Sequence, residues 1–348
     1  MKAAVFHAAK DVRVEQVELP ATPADKVKVK VAYAGICGSD LHAYHHGIGV
    51  QIGTPHPLSG KMAPLTLGHE FSGVIEEVGQ EVSGWQVGDR VTIEPLIYCG
   101  ACANCRSGNY NRCDQVGFVG LNDNGGFAEY VLLEPRTLHK LPDNVSFEEA
   151  ALAEPTAVAL HAVRESKLKV GNNVAVFGVG PIGLLTILAA QSAGAARVYA
   201  VDVSAERLEL AARLGAIPIN SLQQDAASVI LGETGGVAVA YEAAGVQATL
   251  TSALSVVKKG GEVMVIAAYA APVQLNMMEL MIKEASVTSI LAYRHIFPDV
   301  LALISSGKLD VKQVITKKIT LDQIVEDGFE LLVQDKSQAK ILVQVNEL

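Results

Sequence analysis

Apolar and polar positions alternate through Val27-Lys-Val-Lys-Val31, the period-two pattern of a strand with one buried face. Residues 1 to about 33 read as strands on this basis. Gly73–Val78, Asp89–Ile93 and Gly125–Leu133 read as further strands separated by turn residues. Leu152–Leu160 then opens an apolar helix. From residue 173 the pattern changes. Asn173–Phe177 is almost continuously apolar, as expected of a parallel strand covered on both faces. An apolar helix runs from there to about Gly194. Strands follow at Arg197–Val201, Ile217–Asn220, Val237–Tyr241, Glu262–Ile266 and Val287–Leu291, with helical stretches between them that include Ala205–Leu214 and Gln247–Val257. Six strands in βαβ alternation predict a doubly wound parallel sheet. After Tyr293, helices around Phe297–Ser306 and Leu321–Leu332 precede a last strand, Ala339–Val345, and this tail is expected to return to the first domain.

The chain has 348 residues, half of them hydrophobic, enough for two domains with separate cores. Acidic residues outnumber basic ones 37 to 28, the net charge is -9, and no run of Lys and Arg occurs, which argues against a nucleic-acid partner. Val174–Ala196 carries no charge and is long enough to span a bilayer. Gly178, Gly180, Pro181 and Gly183 break it into a strand and a helix, each too short to cross, so no membrane partner is expected. Met1–Leu19 mixes charged and apolar residues without an apolar central region, so a cytoplasmic location is expected. No internal repeat is visible.

Chemistry concentrates in two stretches. In Gly35-Ile-Cys-Gly-Ser-Asp-Leu-His42, Cys37 offers a thiolate, and Ser39 and His42 offer a hydroxyl and an imidazole; in Gly68-His-Glu70, His69 offers a second imidazole. Thiolate plus imidazole is a zinc-type pair, and a catalytic zinc needs a third protein ligand and one open position. Both stretches read as loops, and residues 43–66 read as a long Gly/Pro/His-rich loop. Glu154 is the only charge between Ala150 and Leu160; it is either a helix N-terminal residue facing the dipole or the missing third ligand. The other four of the five cysteines crowd into Cys99-x-x-Cys102-x-x-Cys105-x7-Cys113. Four thiolates close a tetrahedral zinc site of structural type; an iron–sulfur cluster takes the same number, but nothing else in the chain reads as a redox centre. The structural zinc would fix a lobe too poor in apolar residues to fold by burial alone.

Gly178-Val-Gly-Pro-Ile-Gly183 lies between a strand and a helix, and the next strand ends in Asp202. Strand, GxGxxG, helix, strand and acid form a dinucleotide-binding pattern. Gly178, Gly180 and Gly183, with Pro181 and Ile182 opening the helix, would cradle the pyrophosphate at a helix N-terminus. Asp202 would accept hydrogen bonds from the adenosine ribose and repel a 2′-phosphate, favouring NAD over NADP. Arg207, close by, pulls the other way.

With these motifs in place the chain resembles the zinc-dependent medium-chain dehydrogenases over essentially its whole length, and within them the 2,3-butanediol dehydrogenases. The latter likeness rests on His56-Pro-Leu-Ser-Gly-Lys-Met-Ala-Pro64, the segment from Glu154 to His161, Leu291-Ala-Tyr-Arg294 and Asp335-Lys-Ser-Gln-Ala-Lys-Ile-Leu-Val343. The resemblance implies a GroES-like β-rich catalytic domain over 1–155 and 293–348 and a Rossmann domain over 156–292 with a six-stranded sheet. It implies a catalytic zinc on Cys37, His69 and Glu154, with Glu70 beside them, a structural zinc on Cys99, Cys102, Cys105 and Cys113, and Ser39 and His42 as a proton relay. It further implies NAD-linked oxidation of a secondary alcohol or diol, such as 2,3-butanediol, or reduction of a hydroxyketone, by a homo-oligomer. Sorbitol-like polyol and threonine dehydrogenases share the same metal and cofactor logic.

Overall fold

The computed structural model describes residues 1–348, which form two compact units. The first comprises Met1–Glu154, Phe297–Ser305 and Ile315–Leu348; the second comprises Pro155–Ile296 and Ser306–Val314.

The first unit is built on a seven-stranded sheet. Its main path runs Leu138–Lys140, Arg90–Ile93, Glu70–Val78, Val27–Gly35, Lys340–Gln344 and Ile315–Thr320, with Tyr130–Leu133 also paired to Val27–Gly35. The alternation in Val27–Val31 does place Val27, Val29 and Val31 in the core with Phe71, Ile75 and Ile341. Lys28 is buried as well, because its ammonium pairs with Glu77 at 2.9 Å. Of the tail, Phe297–Ser305 and Ile315–Leu348 belong to this unit and Ser306–Val314 to the second; Lys340–Gln344 runs antiparallel to Val27–Gly35, with Leu342 opposite Gly35. A small second sheet joins Asp11–Gln16, Lys2–Ala8 and Leu65–Thr66.

Three local expectations need correction. The segment after Cys37 is a helix, Gly38–His46, with Cys37 as its N-cap and Gly47 (φ 68°) as its C-cap, so the loop begins only at residue 47. Apolar periodicity is weak there because three of the nine residues are histidines, and the capping residues carry the signal instead. Only Tyr130–Leu133 of the Gly125–Leu133 stretch is strand. Gly125 and Gly126 instead lie backbone to backbone against the segment leading to His69, with Gly126 N–H donating to the Gly68 carbonyl at 2.8 Å. Finally, Ile315–Thr320 is an additional strand, and residues 321–334 form successive 3-10, π and α turns, not one helix.

The second unit holds a six-stranded, wholly parallel sheet in the order Ile217–Asn220, Arg197–Asp202, Asn173–Phe177, Val237–Glu242, Val257–Val265, Ser286–Ser289. Numbered along the chain this is 3-2-1-4-5-6, the doubly wound arrangement. The strand order reverses between Asn173–Phe177 and Val237–Glu242, which run parallel to each other, and ligands of such sheets bind at the carboxyl ends of those two strands. No helix is long and apolar enough to cross a membrane.

Candidate metal centres and dinucleotide crevice

In the first unit the Val27–Gly35 strand ends two residues before Cys37, and the Glu70–Val78 strand begins directly after His69. The two strands are neighbours with Gly35 opposite Glu70, so sheet register alone brings the two ligand-bearing turns together. Donor atoms of Cys37, His69 and Glu70 lie within 4.8 Å of one another. Asp40, fully buried, accepts the Cys37 N–H at 2.9 Å and reaches His69 Nδ1 at 3.5 Å. That contact orients the ring so that Nε2 faces Ser39 Oγ, 3.1 Å away. Burial works against a charged His69, but Asp40 and the Cys37 thiol outweigh it and hold the imidazole well above its ordinary pKa.

Lys340 completes the cluster. Its Nζ, 1% exposed, donates to Glu70 Oε1 at 2.8 Å, Glu70 Oε2 at 2.6 Å and the Ile36 carbonyl at 2.9 Å. Burial opposes its charge, yet Glu70, Cys37 and Glu154 keep it an ammonium, so the Glu154 carboxylate acts on the same cluster. Glu154 is itself buried, in the first turn of the Ala153–Glu165 helix, and lies outside the tight group of Cys37, His69 and Glu70. His42 is exposed one turn beyond Ser39 on the Gly38–His46 helix.

Three buried carboxylates (Asp40, Glu70, Glu154) and a thiol thus face two buried cations, the Lys340 ammonium and the His69 imidazolium. Such an excess of negative charge is costly in a low-dielectric interior. A divalent cation among soft and borderline donors would offset it, so the residues fit zinc.

The second cluster is local. The sulfurs of Cys99, Cys102, Cys105 and Cys113 lie within 4.8 Å of one another, and no disulfide joins them. Backbone N–H groups point at the sulfurs: Ala101 and Cys102 donate to Cys99 Sγ at 3.4 and 3.3 Å, and Cys99 and Gln115 donate to Cys113 Sγ at 3.4 Å. These donors pull the Cys99 thiol down to about 6, while burial and the neighbouring thiols push Cys105 up to about 12. Four thiolates cannot ionise together without a cation, and with one they form a closed site. No carboxylate enters this group.

In the second unit, Gly178 follows its strand at φ 85°, and a Cβ there would fall 2.7 Å from Ala244 Cβ. A Cβ on Gly183 would collide with the Gly178 carbonyl, whereas one on Gly180 would meet nothing within 4 Å. The first and third glycines therefore serve the turn and helix packing, and the second leaves open space at the N-cap of the Pro181–Ser192 helix, with Pro181 and Ile182 in its first turn. Asp202, at the end of the neighbouring strand, accepts Val179 N–H at 2.8 Å on one oxygen and Val203 and Ser204 N–H at 2.7 and 2.9 Å on the other. Arg207 lies half-buried in the first turn of the next helix.

Three contributors lie outside the set of expected site residues. Asp40 had a usable signal, standing three residues past the N-cap Cys37. Lys340 had none, being one lysine in a short strand. The turn Ala243–Gly245 lines the switch point, held by the buried Glu242, which accepts Ala244 N–H, Gly245 N–H and the Thr249 hydroxyl at 3.0, 3.0 and 2.6 Å.

Comparison with known proteins agrees with this architecture. Residues 23–143 match the alcohol dehydrogenase GroES-like domain, and residues 181–306 match the zinc-binding dehydrogenase family. The chain is 46% identical to (R,R)-butanediol dehydrogenase of Bacillus subtilis over 99% of its length and 100% of the relative's. The crystal structure of 2R,3R-butanediol dehydrogenase from that organism superposes with a TM-score of 0.95 over 99% of both chains. Sorbitol dehydrogenase of B. subtilis is 36% identical over 99% of this chain and 98% of its own. The crystal structure of a zinc-binding dehydrogenase from Sinorhizobium meliloti 1021, bound to NADP, is 30% identical with a TM-score of 0.91 over 99% of both chains. A GroES-like unit with two zinc-competent clusters, a parallel Rossmann sheet with its glycine turn, and whole-length identity to such enzymes place this chain in the zinc-dependent medium-chain alcohol dehydrogenase family.

Proposed function

We propose that the protein catalyses the reversible NAD-linked oxidation of (R,R)-2,3-butanediol to acetoin. The observation that carries the substrate is the 46% identity to (R,R)-butanediol dehydrogenase across 99% of this chain, and the group of half-buried Cys37 with buried His69 and Glu70 supports the chemistry.

Cys37 and His69 would hold the catalytic zinc, with a carboxylate as third ligand. Glu154 takes that role in this reading; Glu70, tied to Lys340, stands beside it. When bound, zinc supplies a Lewis acid for the substrate oxygen and the dinucleotide supplies the hydride acceptor. Asp40 fixes the His69 ring. Ser39 Oγ would take the proton of the substrate hydroxyl while giving up its own, and His42, exposed one turn away, would pass that proton on to solvent. The four cysteines of 99–113 would hold the structural zinc.

Asp202 would select NAD. Its carboxylate, fixed by three backbone N–H groups, would accept the ribose hydroxyls and repel a 2′-phosphate. Arg207, half-buried in the following helix, is the residue that would favour a 2′-phosphate against it.

A homo-oligomer is part of the same reading. Ser286–Ser289 is an open edge of the parallel sheet, and the adjoining helix exposes Met277, Met278, Met281 and Ile282 by 60% or more each. An unpaired edge beside an apolar helix is a surface that a second copy would cover.

The test is NAD⁺ reduction with separate butanediol stereoisomers, sorbitol and threonine, before and after chelation. The expected result is preference for the (R,R) isomer, lost with the metal. Preference for sorbitol would retain the chemistry and move the substrate to the polyols.

A further inference from the structure

The two ligand-bearing turns come from different strands, and one side chain from a third strand touches both. Lys340, 270 residues from Glu70, bonds to the carbonyl of Ile36, the residue before Cys37, and to both oxygens of Glu70, the residue after His69. Gly35 makes room for this arrangement, since a Cβ there would fall on Glu70 Oε2. Glu70 is within reach of the metal centre, in the same tight group as Cys37 and His69, yet both its oxygens are committed to the ammonium.

We propose that Lys340 is a positioning residue of the metal centre: by holding Glu70 in a buried ion pair it keeps that carboxylate off the catalytic zinc and leaves one metal position open for substrate. The proposal rests on the reading that Cys37 and His69 hold that zinc.

Two consequences of removing the ammonium compete. Loss of the bond to Ile36 would loosen the Cys37 turn. Release of Glu70 would leave an uncompensated buried carboxylate, which seeks the nearest cation. The second wins. The Cys37 turn is still held by Ile36 N–H on the Ile341 carbonyl at 3.1 Å, by Leu342 opposite Gly35, and by Tyr44, which packs on Phe329 and donates to Glu330 at 2.9 Å. The carboxylate has no other buried cation among its hydrogen-bond partners, and an unpaired buried charge is a severe penalty. Glu70 would therefore turn to the metal and fill the open position.

The experiment uses the full-length protein with Co²⁺ in the chelator-accessible site, following the visible absorption of the ion, its rate of release to a chelator, and turnover. Lys340→Met is expected to change the Co²⁺ spectrum, slow metal release by about tenfold and lower kcat by about tenfold or more. Lys340→Arg, which keeps the ion pair, should resemble the wild type in spectrum and release. Glu70→Gln with Lys340 intact should leave the Co²⁺ spectrum unchanged, and the Glu70→Gln/Lys340→Met pair should return metal release to the wild-type rate. A wild-type spectrum and release rate in Lys340→Met would overturn the proposal. So would an altered spectrum in Glu70→Gln, because Glu70 would then already be a ligand. Failure of the underlying reading looks different: Cys37→Ser would still take up as much metal as the wild type.

Discussion

The two metal-competent clusters differ in how the chain makes them. The four-cysteine lobe takes all its donors from residues 99–113, and the backbone of that same segment supplies the N–H groups that favour thiolate. The Cys37–His69 centre takes its donors from turns 32 residues apart and its organising cation from residue 340. One site is closed, all sulfur and locally determined. The other mixes sulfur, nitrogen and oxygen, carries surplus carboxylate, and depends on the register of three strands. A local site suits a structural task because it can assemble with its own segment. A site spread over the sheet can keep a position open, because the groups that would close it are held by other elements.

The sharpest way to break this comparison is to remove one sulfur from each site. Cys37→Ser should lower turnover by about a thousandfold, the worth of several kcal/mol of charge stabilisation, with zinc falling from two to one per chain and little change in thermal stability. Cys105→Ser should instead lower the melting temperature and expose 99–113 to protease, while the remaining zinc stays with Cys37 and His69. Zinc analysis beside calorimetry separates the two patterns; the same loss in both variants would mean that the sites are not independent.

A smaller effect is expected in the second unit. Asp202→Ala removes a carboxylate that the glycine turn already uses, and should weaken NAD by tenfold to a hundredfold, the range for a hydrogen bond to a charged group, with NADP weakened less. Cofactor titration measures the ratio, and an unchanged ratio would remove Asp202 from cofactor choice.

The smallest effect concerns a pair remote from either metal. The hydrogen bond from Lys140 at 2.6 Å holds the buried Asp89 carboxyl below its ordinary 3.8. A lowered folded-state pKa contributes stability above the ordinary value and loses it as pH falls through the folded one. Lys140 is 63% exposed, so solvent screens the pair and the contribution is at most about 1 kcal/mol. Asp89→Asn should be slightly less stable than the wild type at pH 7, and the gap should close below about pH 4 in denaturant titrations.

The same contrast explains what could be read from the chain. The lobe is visible as a spacing of cysteines, and the glycine turn as a strand, three glycines and an acid, because both sets of contacts are local. The four inner parallel strands are visible because burial on both faces leaves them apolar; the edge strands Ile217–Asn220 and Ser286–Ser289 are only partly buried and carry a weaker signal. The role of Lys340 was not legible: its burial comes from the pairing of Lys340–Gln344 with Val27–Gly35, across more than 300 residues. The Gly38–His46 helix was hidden because its histidines mask any apolar period. The π turn at Ile324–Glu330 depends on Gly328, where a Cβ would press on Ile36 Cδ1, a tertiary fact with no local signature. Glu154 stood out as an isolated charge in an apolar helix, but neither its burial nor its place in the helix's first turn separates a metal ligand from a residue facing the helix dipole.

The most direct test of two metals with different tasks is staged chelation, with zinc per chain and NAD⁺-dependent oxidation of (R,R)-2,3-butanediol followed on the same samples. The account predicts that activity disappears as zinc falls from two to one per chain, with the fold intact, and returns when zinc is restored. Full activity with one zinc per chain, or activity that survives until the lobe's metal is lost, would contradict it.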